Sequence, residues 1–434
     1  MPSPVKLPLL WGSATSSHQV EGNNTANDWW AWEKKGRVKT PSGFACDHYR
    51  RFRDDFDLFA NLGHTAHRLS LEWSRFEPEE NVWNDEAFHH YEDVLRELRA
   101  RQIEPVVTLH HFTNPQWFAA KGGWLREDAV FYFERYVKRV VRALGYYVRF
   151  WITINEPLVY LFHGYHTGLW PPGHQSVKDC KTVFRNLLQA HMIAYRTIHD
   201  EYERTQKKTV WVSIAQHMTH LVPCRPGRLE DRLLVYFRKW FSNSLFLDAA
   251  VSGFLFFPGF FCELLPGRET LDFIGVNYYT REFIRFSGRS HLASLGEACS
   301  KEHHLAEIKP RNSMGWEICP EGLYSVLCDL KRYQLPVLIT ENGICTEKDA
   351  ERSKFIQDHL GAVQQAIAQG VPVFGYLYWS GLDNFEWDSG FGPRFGITEV
   401  DYKNFQRKVK DSAYVLTENC RKLFAGEPDA KRFV

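Results

Sequence analysis

RFWITINEP (149–157) and LPVLITENG (335–343) are two strand-like apolar runs that each stop on a glutamate beside an asparagine. Glu156 follows Asn155, and Glu341 precedes Asn342. Near-continuous Val, Ile, Leu and aromatic residues are the pattern of parallel strands covered on both faces. Burying an ionised carboxylate is costly unless it is paired or takes up a proton. Two such strand ends therefore read as halves of one site, provided the fold brings them together.

Six more runs of the same kind punctuate the 434 residues: LLWGSAT (9–15), TAHRLSL (65–71), EPVVTLHH (104–111), TVWVSIAQH (209–217), LDFIGVNYY (271–279) and VPVFGYLYWS (371–380). Between them lie amphipathic helices. Tyr49, Phe52, Phe56 and Phe59 recur at helical spacing, as do Phe88, Tyr91, Val94, Leu95 and Leu98, and then Tyr136, Val137, Val140, Val141 and Leu144. These stripes are core faces. Eight strands, each followed by a helix, predict a single (β/α)8 TIM barrel over 1–434 with elaborated βα loops. A doubly wound sheet would alternate too, but needs a glycine-rich phosphate turn after an early strand. Gly12-Ser13-Ala14 lacks the remaining glycines, and Gly392 to Gly396 is no better.

The barrel gives the two glutamates a common address, because catalytic residues of this fold gather at the C-terminal ends of its strands. Glu156 ends strand four and Glu341 strand seven. Strand one leads to Gln19 and Glu21, strand two holds Arg68, and strand three ends at His110-His111. Strand six ends in Asn277-Tyr278-Tyr279, and strand eight runs to Trp379. One such group alone is an ordinary satisfied side chain. Paired carboxylates across a mouth lined by Asn, Gln, His, Arg, Tyr and Trp point to sugar hydrolysis.

Composition excludes several other classes. Net charge is +1 with 24% charged residues, which gives no reason to expect nucleic acid or an anionic membrane as partner. No stretch approaches the ~20 apolar residues of a membrane span. The start, MPSPVKLPLLWGSATSS, lacks the charged and apolar segments of a secretory signal. Nine cysteines without C-x-x-C spacing are expected to be reduced thiols in a cytoplasmic protein. The sequon Asn23-Asn24-Thr25 then reads as chance. His110-His111 and His303-His304 have no accompanying ligand motif, so neither metal nor any other cofactor is expected. Fifteen tryptophans suit sugar rings as well as large cores.

The chain resembles the glycoside hydrolase family 1 β-glycosidases over nearly its whole length. The resemblance rests on WGSATSSHQVEG (11–22), ACDHYRRFRDDF (45–56), HRLSLEWSRFEP (67–78), TLHHFTNPQWF (108–118), TINEP (153–157), DFIGVNYYT (272–280), LITENG (338–343) and WSGLDNFEWDSGFGPRFGI (379–397). It implies a retaining, double-displacement β-glucosidase whose partner is a small glycoside. Glu156 resembles the general acid/base and Glu341 the nucleophile. Gln19, His111, Asn155, Glu386 and Trp387 resemble groups that hold the sugar. Arg68, Asn277 and Tyr279 resemble the shell of the nucleophile, and Trp379 the floor beneath the sugar ring.

Such a mechanism needs carboxyl groups about 5–5.5 Å apart. At that separation an ionised Glu341 is expected to raise the Glu156 pKa and keep Glu156 protonated for its first task. Two departures from the family pattern are HHFTNP, where a tyrosine, histidine, tryptophan, aspartate run is common, and Glu72, where a small residue is frequent. Both are expected to touch specificity. The connection from Ala249 to Leu271 is short for the family and is expected to trim the aglycone side. A sugar-binding pseudoenzyme would be expected to have lost a carboxylate, and a thioglucosidase the acid/base Glu156; both are present. Primary β-galactosidase or β-fucosidase specificity stays open.

Overall fold

The computed structural model of the protein describes residues 7–206, 208–287, 297–298 and 309–425. Its eight barrel strands are β1 (Leu10–Ala14), β2 (Ala66–Ser70), β3 (Glu104–His110), β4 (Phe150–Asn155), β5 (Trp211–Pro223), β6 (Ile274–Arg285), β7 (Val337–Asn342) and β8 (Val373–Trp379). Every neighbour pairs in parallel, and the β8–β1 ladder closes the ring. This is the (β/α)8 barrel the sequence predicts, with all eight strands where the apolar runs lie. Between them come α1 (His48–Asn61), α2 (Asp85–Ala100), α3 (Ala129–Leu144) and α4 (Val177–Glu201), then α5 (Leu245–Ser252), α6 (Pro320–Asp329), α7 (Asp349–Ala368) and α8 (Asp411–Ala425).

The three predicted stripes do face inward: Phe52, Phe56 and Phe59 of α1, Tyr91, Val94, Leu95 and Leu98 of α2 and Tyr136, Val137, Val140, Val141 and Leu144 of α3 are buried, while Tyr49 and Phe88 are half-buried. A separate cluster fills the barrel itself. Leu10, Ala66, Val106, Phe150, Ile152, Ala215, Leu338 and Phe374 pack there, with the Phe150 and Phe374 rings stacked at 6.0 Å. The interior is thus a plugged core, and polar groups can gather only above it.

Two strands run longer than their apolar runs. β5 and β6 continue past the rim as a paired ribbon, His220 against Arg281 through Pro223 against Ile284. The Ala249 to Leu271 connection holds a hairpin, Phe254–Phe257 with Phe261–Leu264. It packs on the outside of the barrel, where Phe261 meets Phe184 of α4 and Arg185 meets Glu263 at 2.8 Å. The expectation of reduced thiols needs correction at one position. Seven described cysteines are free, but Cys224 is disulfide-bonded. His303-His304 lies outside the described residues. Among those described, no His, Cys, Asp and Glu side chains cluster as metal ligands, and no helix is long and apolar enough to cross a membrane.

Candidate active site

Strict alternation would send Ile154 into the barrel and Asn155 out. Instead the β4–β5 register shifts between Ile152 and Asn155, and Ile154 joins the outer core. A second shift between Ile339 and Glu341 interrupts the β6–β7 ladder. Such irregularities re-aim side chains beside active sites. Here they turn Asn155 and Glu341 toward the mouth. The chain after Glu341 must also pass close under β8: a Cβ on Gly343 would lie 1.8 Å from the Trp379 carbonyl oxygen. That contact explains the glycine of ITENG.

Glu341 is held at both oxygens. Arg68, fully buried, pairs with Oε1, and the Tyr279 hydroxyl donates to Oε2 at 2.6 Å. The same guanidinium donates to Asn155 Oδ1 at 2.6 Å and to Thr108 Oγ1 at 3.0 Å. Three strands therefore fix one arginine, which in turn fixes the carboxylate.

Glu156 is mounted differently. It ends β4 in the left-handed region, φ 44° and ψ 60°, and Pro157 starts a short helix to Leu161. A non-glycine residue in that region carries strain of about 1–3 kcal/mol, a cost tolerated mainly at functional sites. Asn277 donates to its Oε1 at 2.8 Å and to Asn155 Oδ1 at 3.0 Å, and Thr340 donates to Asn277 Oδ1 at 2.6 Å. A continuous chain, Glu341 to Arg68 to Asn155 to Asn277 to Glu156, thus joins the two carboxylates. The His217 ring nitrogen Nδ1 also lies 3.4 Å from Glu156 Oε1.

The electrostatics reverse one expectation. Burial pushes the Glu341 carboxyl up to about 7, against the pull of Arg68 and with a further push from the Glu156 charge. Burial also raises Glu156, but the hydrogen bond and charge of His217, the Asn277 bond and Arg68 outweigh it and leave that carboxyl below the ordinary glutamate range. Like-charge repulsion alone would protonate Glu156. The imidazole, absent from that argument, is the reason the site favours charge there.

The other predicted residues surround the same space. Gln19 donates to Glu386 Oε2 at 3.2 Å, to Asn384 Oδ1 at 3.1 Å and to the Phe385 carbonyl at 2.9 Å. Glu386 is pushed up to about 8 by burial and by the charges of Glu341, Glu156 and Asp388, so it is largely a neutral carboxyl at pH 7. His111 stacks between Trp379 and Trp387, at 6.0 and 6.1 Å, and meets Asn155 Nδ2 at 3.3 Å. Asn155, Asn277, Arg68, Tyr279, Gln19, His111, Glu386, Trp387 and Trp379 are accordingly all brought together with the two glutamates.

Three strand-end groups are not. Glu21 accepts from Tyr91 and Arg75 at 2.6 and 2.8 Å, His110 meets Asn114 at 3.1 Å, and the Tyr278 hydroxyl donates to the Cys319 carbonyl at 2.7 Å. Conversely, His217, which closes the fifth run, is missed by the sequence reading, although the strand-end rule applied to β5 points to it. The two departures also turn out to be one feature. Buried Glu72 accepts from Thr113 at 3.0 Å, from Ser74 at 2.7 Å and from Ser17 at 3.2 Å. The Glu72 carboxylate thereby ties the β1, β2 and β3 loops together, a structural knot beneath the sugar-facing residues.

A closed (β/α)8 barrel with two glutamates linked across its mouth defines a glycosidase, and the chain matches the model of glycosyl hydrolase family 1 over residues 4–259 and 261–422. It belongs to that family and is a glycoside hydrolase acting as a β-glycosidase. Beta-glucosidase A of Thermotoga maritima is 33% identical over 94% of this chain and 95% of its own. A beta-galactosidase of Sulfolobus acidocaldarius is 32% identical over 86% of this chain and 83% of its own. Among solved structures, the beta-glycosidase from Pyrococcus horikoshii is 43% identical with a TM-score of 0.88, covering 96% of this chain and 95% of its own. The beta-glucosidase from Thermotoga maritima in complex with glucoimidazole is 31% identical with a TM-score of 0.87, covering 96% and 99%.

Proposed function

We propose that this β-glycosidase is a retaining β-glucosidase that hydrolyses terminal β-D-glucosyl residues of aryl and alkyl glucosides and short gluco-oligosaccharides. Glu341 attacks the anomeric carbon while Glu156 protonates the departing oxygen; Glu156 then takes a proton from water as it opens the glycosyl ester. The carrying observation is the contrast in how the two carboxylates are held. Both Glu341 oxygens are fixed, as a nucleophile aimed at one atom requires. Among the described residues the Glu156 contacts fall on Oε1 alone, which leaves Oε2 for the leaving group.

Asn155, joined to Arg68, bonds the sugar 2-hydroxyl, and Gln19, His111, Glu386 and Trp387 take the remaining hydroxyls above Trp379. A neutral Glu386 can donate as well as accept, and it adds no attraction for a 6-phosphate. Glucosides lead the proposal because a relative binds glucoimidazole; another complex of that relative holds galacto-hydroximolactam, which supports galactosides as secondary substrates. A single catalytic domain and a cytoplasmic location belong to the same reading, the latter supported by the seven free cysteines. Thiol trapping in cell extract tests it, since a persistent Cys224 disulfide would argue for oxidising surroundings.

Proton NMR of the first product released from an aryl β-glucoside tests the reaction. β-Glucose is expected, and α-glucose as first product would end the retaining assignment. Initial rates on aryl β-glucoside, β-galactoside, β-fucoside, 6-phospho-β-glucoside and cellobiose rank the substrates. 6-Phospho-glucosides are expected to be poorer by at least about a hundredfold, on the order of 3 kcal/mol, because the charges of Glu341, Glu156 and Asp388 that raise Glu386 also oppose a phosphate.

A further inference from the structure

We propose that His217 is a positioning residue for the acid/base step, holding in reserve the proton that Glu156 gives to the departing oxygen. The inference rests on the assignment of Glu156 above and adds a group that the assignment does not contain.

Register explains its place. His217 pairs with Asn277 across the β5–β6 ladder, and Asn277 pairs with Glu341 across the β6–β7 ladder. Cross-strand neighbours share a face, so imidazole, amide and carboxylate form one row at the mouth, with Glu156 opposite. The ring is anchored on both sides. Nε2 lies 3.1 Å from Thr219 Oγ1, and the ring stacks on Tyr279 at 6.2 Å and 20°. A ring whose Nε2–H donates to Thr219 presents Nδ1 to Glu156. The side chain is 30% exposed, so water can replenish its proton.

The step is a single proton exchange: Glu156–COOH with a neutral ring, or Glu156–COO⁻ with the imidazolium. Neither charge nor proton count changes between the two states. The groups facing His217 favour the second. Burial pushes the imidazole down, but Glu156, with Glu282 from the β6 extension and Glu341 from β7 behind it, raises it overall. His163, on the turn Phe162–Thr167, is the titratable neighbour of its own sign, and Arg68 reaches Glu156 rather than the ring.

Two sites that share a proton hold it to a higher pH than either would alone, by about 0.3 unit at equal affinity and by more when the imidazole is the stronger holder. The basic limb of kcat/KM reports this proton in the free enzyme. His217→Asn and His217→Gln keep a hydrogen bond to Glu156 but cannot store a proton. Both are expected to move the basic limb at least half a pH unit toward acid with an alkyl β-glucoside. For a dinitrophenyl β-glucoside, whose leaving group needs little protonation, the limb should stay within about 0.2 unit. An unmoved limb in both variants, or equal shifts on both substrates, overturns the proposal. If one variant folds poorly by thermal melt, the other decides. Failure of the underlying reading looks different: Glu156→Ala would then show no leaving-group dependence at all.

Discussion

Glu341 and Glu156 are the same side chain, and the protein treats them in opposite ways. Glu341 sits within β7 at a register shift, with an arginine and a tyrosine hydroxyl on separate oxygens. Glu156 sits on a strained turn, with an amide and an imidazole crowded onto one oxygen. The first arrangement immobilises a carboxylate. The second keeps one oxygen open and couples the group to a proton source. Identity of residue therefore decides little; the donors around each carboxyl divide the labour.

The largest test removes one side of the contrast. Glu341→Ala is expected to lower aryl-glucoside turnover by several orders of magnitude; the fold should survive, with a lower thermal midpoint because the buried Arg68 loses its partner. Undiminished activity would dissolve the comparison. Glu156→Ala should be selective instead. Cellobiose hydrolysis is expected to fall ~10²–10⁴-fold more than that of activated nitrophenyl glycosides. Azide should restore release and yield a β-glycosyl azide, measurable by NMR. Equal losses on both substrates would make the two carboxylates equivalent after all.

A finer test weakens Glu341 without deleting it. Tyr279→Phe removes a charge-assisted hydrogen bond worth about 1.5–3 kcal/mol, so kcat/KM should drop ~10–100-fold. The sign of the pH effect follows from the same bond. The Tyr279 hydroxyl lowers a Glu341 pKa that stands at about 7. Losing it raises that pKa, and the acidic limb, where Glu341 must be ionised, should move to higher pH. A limb that stays put would mean Tyr279 does not tune the nucleophile.

The smallest effect concerns Glu386, a third carboxyl in the same field. Its folded pKa of about 8 lies above the ordinary 4.5. A raised carboxyl pKa stabilises the fold fully below 4.5 and loses that contribution as pH rises toward 8. Glu386→Gln lacks this loss, so its thermal midpoint should gain on the parent across that window, by about 2 °C. A gap constant with pH would show that Glu386 is already ionised. Turnover should also change unequally for glucosides and fucosides, since fucose lacks the 6-hydroxyl.

Much of this is legible in the sequence. Eight apolar runs predicted eight strands because strands covered on both faces leave no alternation to misread. TINEP and ITENG named the two glutamates because a carboxylate closing such a run needs a reason. Three misplacements have a common cause. The sequence reading puts Glu21, His110 and Tyr278 at the mouth because position in the chain places a residue near a rim without saying which way it faces. His217 escapes the sequence reading although it closes the fifth apolar run, because a lone histidine carries no signal until its neighbour is known.

The sequence by itself determined the barrel, the strand ends and the pair of carboxylates, since periodicity and burial cost are local properties of the chain. Tertiary structure decided the rest. Register shifts at Asn155 and Glu341 aimed those side chains inward. Thr113 met Glu72 across 41 positions, and His217 met Glu156 across 61. The protonation state of each carboxyl followed from those meetings. The physical reason is that charge and hydrogen bonding act through a few ångströms of space, and chain separation does not measure that distance.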